Sequence, residues 1–212
     1  MSRAATVYVP ADTQCLHLQP ACQTGSFFDS ACYRFYWLQL LSCHRSFQVR
    51  LHAAVLLPRA IWLLLTPQHV RGLDHLLKFL NHSYSAYYKL RFGHGNLVWQ
   101  HPADASVMES DQLTLECQKF IELLPVHERL VEHPGRYQWS TYCEHAFGGK
   151  PRRTYSHNAY RMFIKENSRS GYRDYVAAGF SAARWDYFNY RLSEGMSLRG
   201  ARPRRNNAAV AR

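Results

Sequence analysis

The stretch LHAAVLLPRAIWLLLTP, residues 51–67, decides the fold of this chain. Two nearly continuous apolar runs flank Pro58 and Arg59, and a proline followed by a polar residue is typical of a turn. We predict one strand over residues 47–57 and a second over residues 61–66, where the closing proline ends it because proline cannot donate to a sheet ladder. Two adjacent strands joined by a tight turn form an antiparallel hairpin.

Further elements are indicated on both sides of the hairpin. Upstream, residues 14–18 form a short extended candidate, and Asp29 is placed to cap a helix that runs to about Cys43. Downstream, apolar residues recur every three or four positions from Val70 onward, which predicts a helix of about 20 residues. This long periodic segment is the strongest single helix signal in the sequence.

The last strand has two candidates, residues 97–99 and 105–107, and Asp111 then opens a helix that is expected to stop near Pro125. The resulting order β-α-β-β-α-β is that of the ferredoxin-like layout, an antiparallel sheet with helices packed on one face. We therefore predict the α+β class and assign residues 1–150 to this domain.

The positive charge is concentrated in a C-terminal extension, residues 151–212, for which we predict helices over 158–165 and 172–194. Of the formal net charge of +11, +9 lies in this extension and +2 in the domain before it. Cations bind phosphates, and interleaved rings such as Tyr155 or Tyr172 can stack on bases, so the extension is typical of a nucleic-acid-binding surface. The candidate DNA-binding residues are its first basic side chains: Arg152, Arg153, Arg161, Lys165, Arg169 and Arg173.

The composition excludes several classes of protein. With 212 residues, of which 47% are hydrophobic and 14% aromatic, the chain can bury a core and is neither disordered nor a large multidomain assembly. No apolar run reaches the roughly 18 residues of a membrane helix, and residues 1–10 lack the pattern of a signal peptide, so we expect a cytoplasmic protein. The six cysteines and twelve histidines form no C-x-x-C, H-x-H or H-E-x-x-H motif. Neither a disulfide framework nor a metal site is predicted.

Four blocks, in order along nearly the whole chain, resemble one protein family. Besides the hairpin stretch they are YSAYYKLRFGHGNLVWQ (84–100), FIELLPVHERLVEHPGRYQWSTY (120–142) and LSEGMSLRG (192–200). Through these blocks the sequence resembles the REP-associated tyrosine transposases of bacteria, which are single-tyrosine enzymes of the HUH type. In that family the hairpin stretch ordinarily reads His-Ala-x-Val-x-x-Pro-Asn-His-x-His-Leu-Leu-x-x-Pro, and the third block begins Tyr-Ile-x-x-Asn-Pro-Val.

The resemblance implies a protein that acts on hairpin-forming single-stranded DNA. In such enzymes two histidines separated by one hydrophobic residue hold a divalent metal such as Mg or Mn, which polarises the scissile phosphate. A tyrosine then attacks phosphorus and forms a covalent 5′-phosphotyrosine link. The family works as monomers or dimers, so the resemblance also leaves a homodimer open.

This chain departs from the family at those catalytic positions. Ala60 and Trp62 stand where the two histidines are expected, and Phe120 stands where the tyrosine is expected. A methyl group has no lone pair, an indole N–H only donates, and a phenyl ring has no attacking oxygen. We therefore expect no metal cofactor and interpret the chain as a DNA-binding relative of a transposase that no longer cleaves DNA.

Two alternatives stay open. The first is an active transposase or nickase with displaced catalytic residues, in which Tyr84, Tyr87 or Tyr88 supplies the nucleophile. Its metal would need two of the remaining histidines: His52, His69, His75, His101 or His127. The second is an interaction or regulatory module whose basic extension binds RNA or an acidic protein.

Overall fold

The computed structural model describes residues 9–20, 27, 29–93, 99, 105–148 and 153–198. Four strands form one sheet: β1 (Gln14–Leu18), β2 (Val49–Leu57), β3 (Ala60–Pro67) and β4 (Ala105–Val107). Their spatial order is β2-β3-β1-β4, and every neighbouring pair is antiparallel. This arrangement confirms the predicted α+β class and ferredoxin-like layout, and β4 is the second of the two candidates for the last strand. Residues 97 and 98 of the first candidate lie outside the described residues.

The helices are α1 (Ser30–Cys43), α2 (Gly72–Phe92), α3 (Asp111–His127), α4 (Tyr142–Phe147), α5 (Asn158–Ala177) and α6 (Ala182–Ser193). Asp29 caps α1 as predicted, because its carboxylate accepts hydrogen bonds from the backbone N–H groups of Ala31 and Cys32, both at 3.0 Å. Ser110, rather than Asp111, caps α3. None of the helices in the described ranges is long and apolar enough to cross a bilayer.

Several helix boundaries differ from the prediction. Pro125 lies inside the last turn of α3 instead of ending it, and its missing N–H removes one backbone hydrogen bond of the helix there. In the extension, α5 is interrupted at Ser168 (φ 61°, ψ 178°), which lies inside the predicted gap between 158–165 and 172–194. The actual break between α5 and α6 falls at Gly179, whose φ of 61° suits a residue without a side chain.

Helices cover both faces of the sheet. The two helices of the β-α-β-β-α-β unit, α1 and α2, lie on one face, as predicted, and α3 and α6 cover the other. Alternate residues of β3 point to the two sides: Leu63 and Leu65 face α1 and α2, whereas Trp62 and Leu64 face α3 and α6. This two-sided burial explains why the hairpin sequence is almost continuously apolar. The division of the chain at residue 150 stays a prediction, and α6 packs directly against the sheet.

One residue of β2 has no pairing partner on β3. Leu51 and Ala53 pair with consecutive β3 residues, so His52 has no partner and forms a β-bulge. The backbone N–H of Tyr155 donates to the Leu51 carbonyl at 2.7 Å, beside this bulge. The start of the extension is therefore fixed against the edge of the sheet.

Candidate functional site

The three positions to which the resemblance assigns the catalytic residues come together on the α3 face of the sheet. Ala60 and Trp62 point to this face from β3, and Phe120 faces them from α3. The ring centroids of Trp62 and Phe120 lie 5.6 Å apart in an edge-to-face arrangement. Such proximity is the geometry that the resemblance requires of these positions.

Aromatic rings fill the space around these positions. Trp62 stacks on His17 of β1, with a centroid distance of 3.9 Å and an interplanar angle of 11°. Phe120 packs against Trp185 at 4.7 Å and Phe188 at 5.8 Å, both from α6. Trp62 is 3% exposed and Phe120 is fully buried. We call these five residues the aromatic cluster.

The side chains at these positions do not fit a divalent metal. Ala60 and Trp62 offer no ligand atom. Burial lowers the pKa of His17 to about 4, although a hydrogen bond with the Ser193 backbone opposes this shift, so its imidazole is neutral at pH 7. One neutral imidazole against an indole is not a metal site. In the described part of the chain, His, Cys, Asp and Glu side chains nowhere form a group of three that could hold an ion.

The alternative tyrosine nucleophiles lie away from the aromatic cluster. Tyr84, Tyr87 and Tyr88 belong to α2, which packs on the opposite face of the sheet from Phe120. Tyr84 is fully buried, and burial raises its pKa far above the ordinary value for tyrosine. Attack by any of these tyrosines on a phosphate held near Phe120 would have to cross the sheet.

The alternative histidine ligands are scattered over the fold. His52 lies in the β2 bulge, and His127, at the end of α3, stacks on Trp185 with a centroid distance of 4.0 Å. His69 and His75 are exposed around the start of α2, and His101 lies outside the described residues. The described members of this set therefore do not converge on one place.

Four of the six predicted DNA-binding residues are exposed: Arg153, Arg161, Lys165 and Arg169. Arg153 precedes α5, Arg161 and Lys165 lie before the kink at Ser168, and Arg169 lies directly after it. Arg152 lies outside the described residues. Among the described residues, none of these four side chains forms an ion pair with a carboxylate.

Two residues of the predicted surface are used inside the fold. Arg173 donates to the Ala146 carbonyl at 3.0 Å, and its guanidinium carbon lies 5.3 Å from the ring centroid of Phe147. Tyr172 is fully buried, and its hydroxyl donates to the Glu122 carboxylate at 2.7 Å. The prediction that Tyr172 is available for base stacking is therefore wrong, because its ring belongs to the interior of the extension.

A buried hydrogen-bond chain fixes α5 against α3. His157 Nε2 donates to Gln118 Oε1 at 2.7 Å, and Gln118 Nε2 donates to the Tyr172 hydroxyl at 2.7 Å. The Glu122 carboxylate then accepts from Tyr172 through one oxygen and from His145 Nδ1 through the other, at 2.7 and 2.5 Å. Each of these buried polar side chains has a hydrogen-bond partner in the network. The network therefore holds α5 in a defined position against α3.

Two arginines of the domain join the basic extension. The guanidinium carbon of Arg45 lies 5.2 Å from the ring centroid of Tyr155, and Arg50 lines the same cavity as Arg161. Tyr155 is 37% exposed, so part of its ring faces solvent. Sequence reasoning missed Arg45 and Arg50 because charge is nearly balanced in their part of the chain. We call Arg45, Arg50, Arg153, Tyr155 and Arg161 the Tyr155 surface.

Comparison with known proteins gives one informative match. No family model and no curated protein matches the sequence. A solved structure of a REP-associated tyrosine transposase bound to a REP hairpin matches with a TM-score of 0.56 and 13% sequence identity, over 75% of this chain and 93% of that chain. At this identity the likeness shows the fold alone. The chain therefore shares its α+β fold with a REP-associated tyrosine transposase.

Proposed function

We propose that this protein binds DNA that is single-stranded or forms a hairpin. The observation that carries the proposal is the Tyr155 surface, where arginines from the domain and from the extension meet beside a partly exposed ring. Guanidinium groups bind phosphates, and an exposed ring can stack on an unpaired base. The fold shared with a transposase that was solved with a REP hairpin supports the same partner.

We also propose that the protein does not cleave DNA and uses no metal cofactor. In this interpretation it is a member of the REP-associated transposase family in which Ala60, Trp62 and Phe120 have replaced the metal ligands and the nucleophile. Enzymes commonly accelerate their reactions by about a millionfold or more, and the loss of nucleophile and ligands together removes the groups that supply this acceleration. A bacterial cytoplasmic location would suit such a DNA partner, and a homodimer stays a prediction.

The salt dependence of binding tests the first proposal. Fluorescence anisotropy of a labelled DNA hairpin with single-stranded flanks should give an affinity that falls steeply with salt. If about six phosphates are engaged, log K should fall against log salt with a slope of roughly −5. A flat dependence would contradict the proposal. Tighter binding of an RNA hairpin or of an acidic protein in competition would favour the interaction module instead.

An adduct assay tests the absence of cleavage. The full chain is incubated with hairpin DNA and Mg²⁺ or Mn²⁺, and denaturing electrophoresis is used to look for a covalent protein–DNA species. We expect no adduct. An adduct that disappears in Tyr87→Phe or Tyr88→Phe would establish the active alternative with a displaced nucleophile.

A further inference from the structure

A polar cavity of about 420 Å³ opens beside the Tyr155 surface. Its lining includes Arg50 and His52 of β2, Thr66 of β3, and Tyr155 and Arg161 of the extension. Ligand sites commonly measure about 300–1,000 Å³, so this volume suits a small ligand. Hydroxyl, amide, imidazole and guanidinium groups make up most of the lining, which disfavours an apolar ligand.

The bulge residue His52 lines this cavity and is 4% exposed. Its Nδ1–H donates to the Tyr155 carbonyl at 2.7 Å, and its Nε2 accepts from the Thr66 hydroxyl at 2.8 Å. The hydroxyls of Thr66 and Thr13 are 3.0 Å apart, which extends the chain to the start of β1. Burial lowers the pKa of His52 to about 4, so the ring is neutral at pH 7 and supports the cavity without adding charge. Bulges commonly redirect side chains beside binding sites.

Arginines supply the positive charge of the cavity. Arg161 donates to the Asn158 side-chain oxygen at 3.3 Å, and Arg50 donates to the side-chain oxygen of Gln68 at 3.1 and 3.3 Å once that amide is oriented to accept. Both partners are neutral, so they leave the charge of the guanidinium groups uncompensated. Asp111 is the single acidic residue among the described residues that line the cavity. With Arg50 and Arg161 opposing it, the net charge of the cavity lining is positive.

We propose that this cavity binds one nucleotide, with its phosphate at Arg50 and Arg161 and its base against the ring of Tyr155. The proposal rests on the function inferred above and assigns to that DNA a single unpaired nucleotide at a defined place. Two guanidinium groups suit a phosphate, which accepts several charge-assisted hydrogen bonds. The Tyr155 ring suits a base because stacking on an aromatic side chain tolerates any base.

Free nucleotides test the cavity without DNA. Isothermal titration of the full chain with each deoxynucleoside 5′-monophosphate is compared with the matching deoxynucleoside and with inorganic phosphate. We expect at least one monophosphate to bind at least tenfold tighter than both its nucleoside and inorganic phosphate. Equal binding of nucleotide and nucleoside, or of nucleotide and inorganic phosphate, would overturn the proposal.

Charge removal tests the assignment of residues. The double variant Arg50→Gln with Arg161→Gln should weaken nucleotide binding at least tenfold, and Tyr155→Leu should weaken it while leaving inorganic phosphate binding unchanged. Arg34→Gln is the matched control, because Arg34 is an exposed arginine of α1 on the opposite face of the sheet. Nucleotide binding by the double variant that equals that of the control would overturn the assignment.

The hairpin distinguishes failure of this inference from failure of the proposed function. If the wild-type chain binds hairpin DNA and the double variant binds it as tightly as Arg34→Gln does, the cavity has no part in DNA binding and only this inference fails. If the wild-type chain binds mononucleotides but no DNA, the proposed function fails and the cavity stands as a nucleotide site. Circular dichroism of each variant confirms that it is folded.

Discussion

The two ends of β3 differ in what surrounds them on the α3 face of the sheet. Near the start of the strand, Trp62 and Phe120 lie in the aromatic cluster, where rings occupy the space. Near its end, Thr66 borders a polar cavity whose groups are held by hydrogen bonds. Thr66 follows Ala60 by six residues, or about 20 Å of extended strand. One strand therefore supports a close-packed interior near its start and a polar cavity near its end.

A substitution in the aromatic cluster should cause the largest loss of stability. Phe120→Ala removes a fully buried ring that contacts Trp62, Trp185 and Phe188, so we expect the free energy of unfolding to fall by about 3–5 kcal/mol. Urea denaturation measures this change. The control Leu90→Ala, at a side chain that is 90% exposed, should change stability by less than about 0.5 kcal/mol. A similar result for both variants would mean that the cluster is not packed as described.

The second-largest loss of stability is expected from a change in the buried hydrogen-bond chain that links α5 to α3. Glu122→Gln keeps the shape of the side chain but presents an N–H₂ group to one of its two donors, Tyr172 or His145. We expect a loss of about 1–3 kcal/mol, the cost of leaving a buried polar group unpaired. Glu132→Gln is the matched control, because the Glu132–Arg136 pair is exposed and contributes little. Equal stability of the two variants in urea would contradict the buried chain.

The histidine of the aromatic cluster predicts a pH dependence. The pKa of His17 is about 4 in the folded chain and 6.5 ordinarily, so between these values the unfolded chain binds a proton that the folded chain does not. The free energy of unfolding should therefore fall as the pH falls from 6.5 towards 4, at up to about 1.4 kcal/mol per pH unit for this group. His17→Phe keeps a ring against Trp62 and removes this contribution.

The measurement is the unfolding free energy of wild type and His17→Phe between pH 6.5 and 5. His52 has a similarly lowered pKa, and burial lowers the pKa of His157 as well, so a pH dependence should persist in the variant with a smaller slope. Identical slopes would show that His17 titrates alike in the folded and unfolded chains.

The smallest effects are expected on the basic surface. Arg169→Gln removes an exposed cation and should weaken hairpin binding a few-fold, with a salt slope shallower by about 0.7–0.9. Arg173→Gln removes an equal charge, but its guanidinium already binds the Ala146 carbonyl, so it should alter stability more than DNA affinity. Fluorescence anisotropy and urea denaturation of both variants separate these outcomes. The reverse ranking in affinity would place the DNA over Arg173.

The sequence predicts most of the fold because its local signals agree with the packing. The apolar hairpin, the Asp29 cap and the long periodic helix from Val70 each have their predicted form in the structure. The packing of α3 and α6 on the second face of the sheet is not predicted, because an apolar strand does not show which helix packs on it. The close approach of Trp62 to Phe120 followed from the family resemblance rather than from the residues themselves.

The polar cavity could not be predicted from the sequence. Its parts come from β2, the end of β3 and the start of α5, which are distant along the chain. An apolar run gives no sequence signal for a bulge, so the sequence alone does not distinguish His52 from any other histidine in a strand. Tyr155 and Tyr172 both lie among basic residues in the sequence, which does not show which ring is buried. The structure shows that Tyr155 is exposed and Tyr172 is buried.

The bulge at His52 also bears on how such a chain can evolve. Because this residue is extra to the β2–β3 ladder, deletion of its codon would leave Leu51 and Ala53 paired as before and every neighbouring side chain on its present face. The side-chain hydrogen bond from His52 to the Tyr155 carbonyl could thus be gained or lost in one mutational event without disturbing the β2–β3 pairing. Relatives with β2 shorter by one residue should keep the same sheet and lack this cavity.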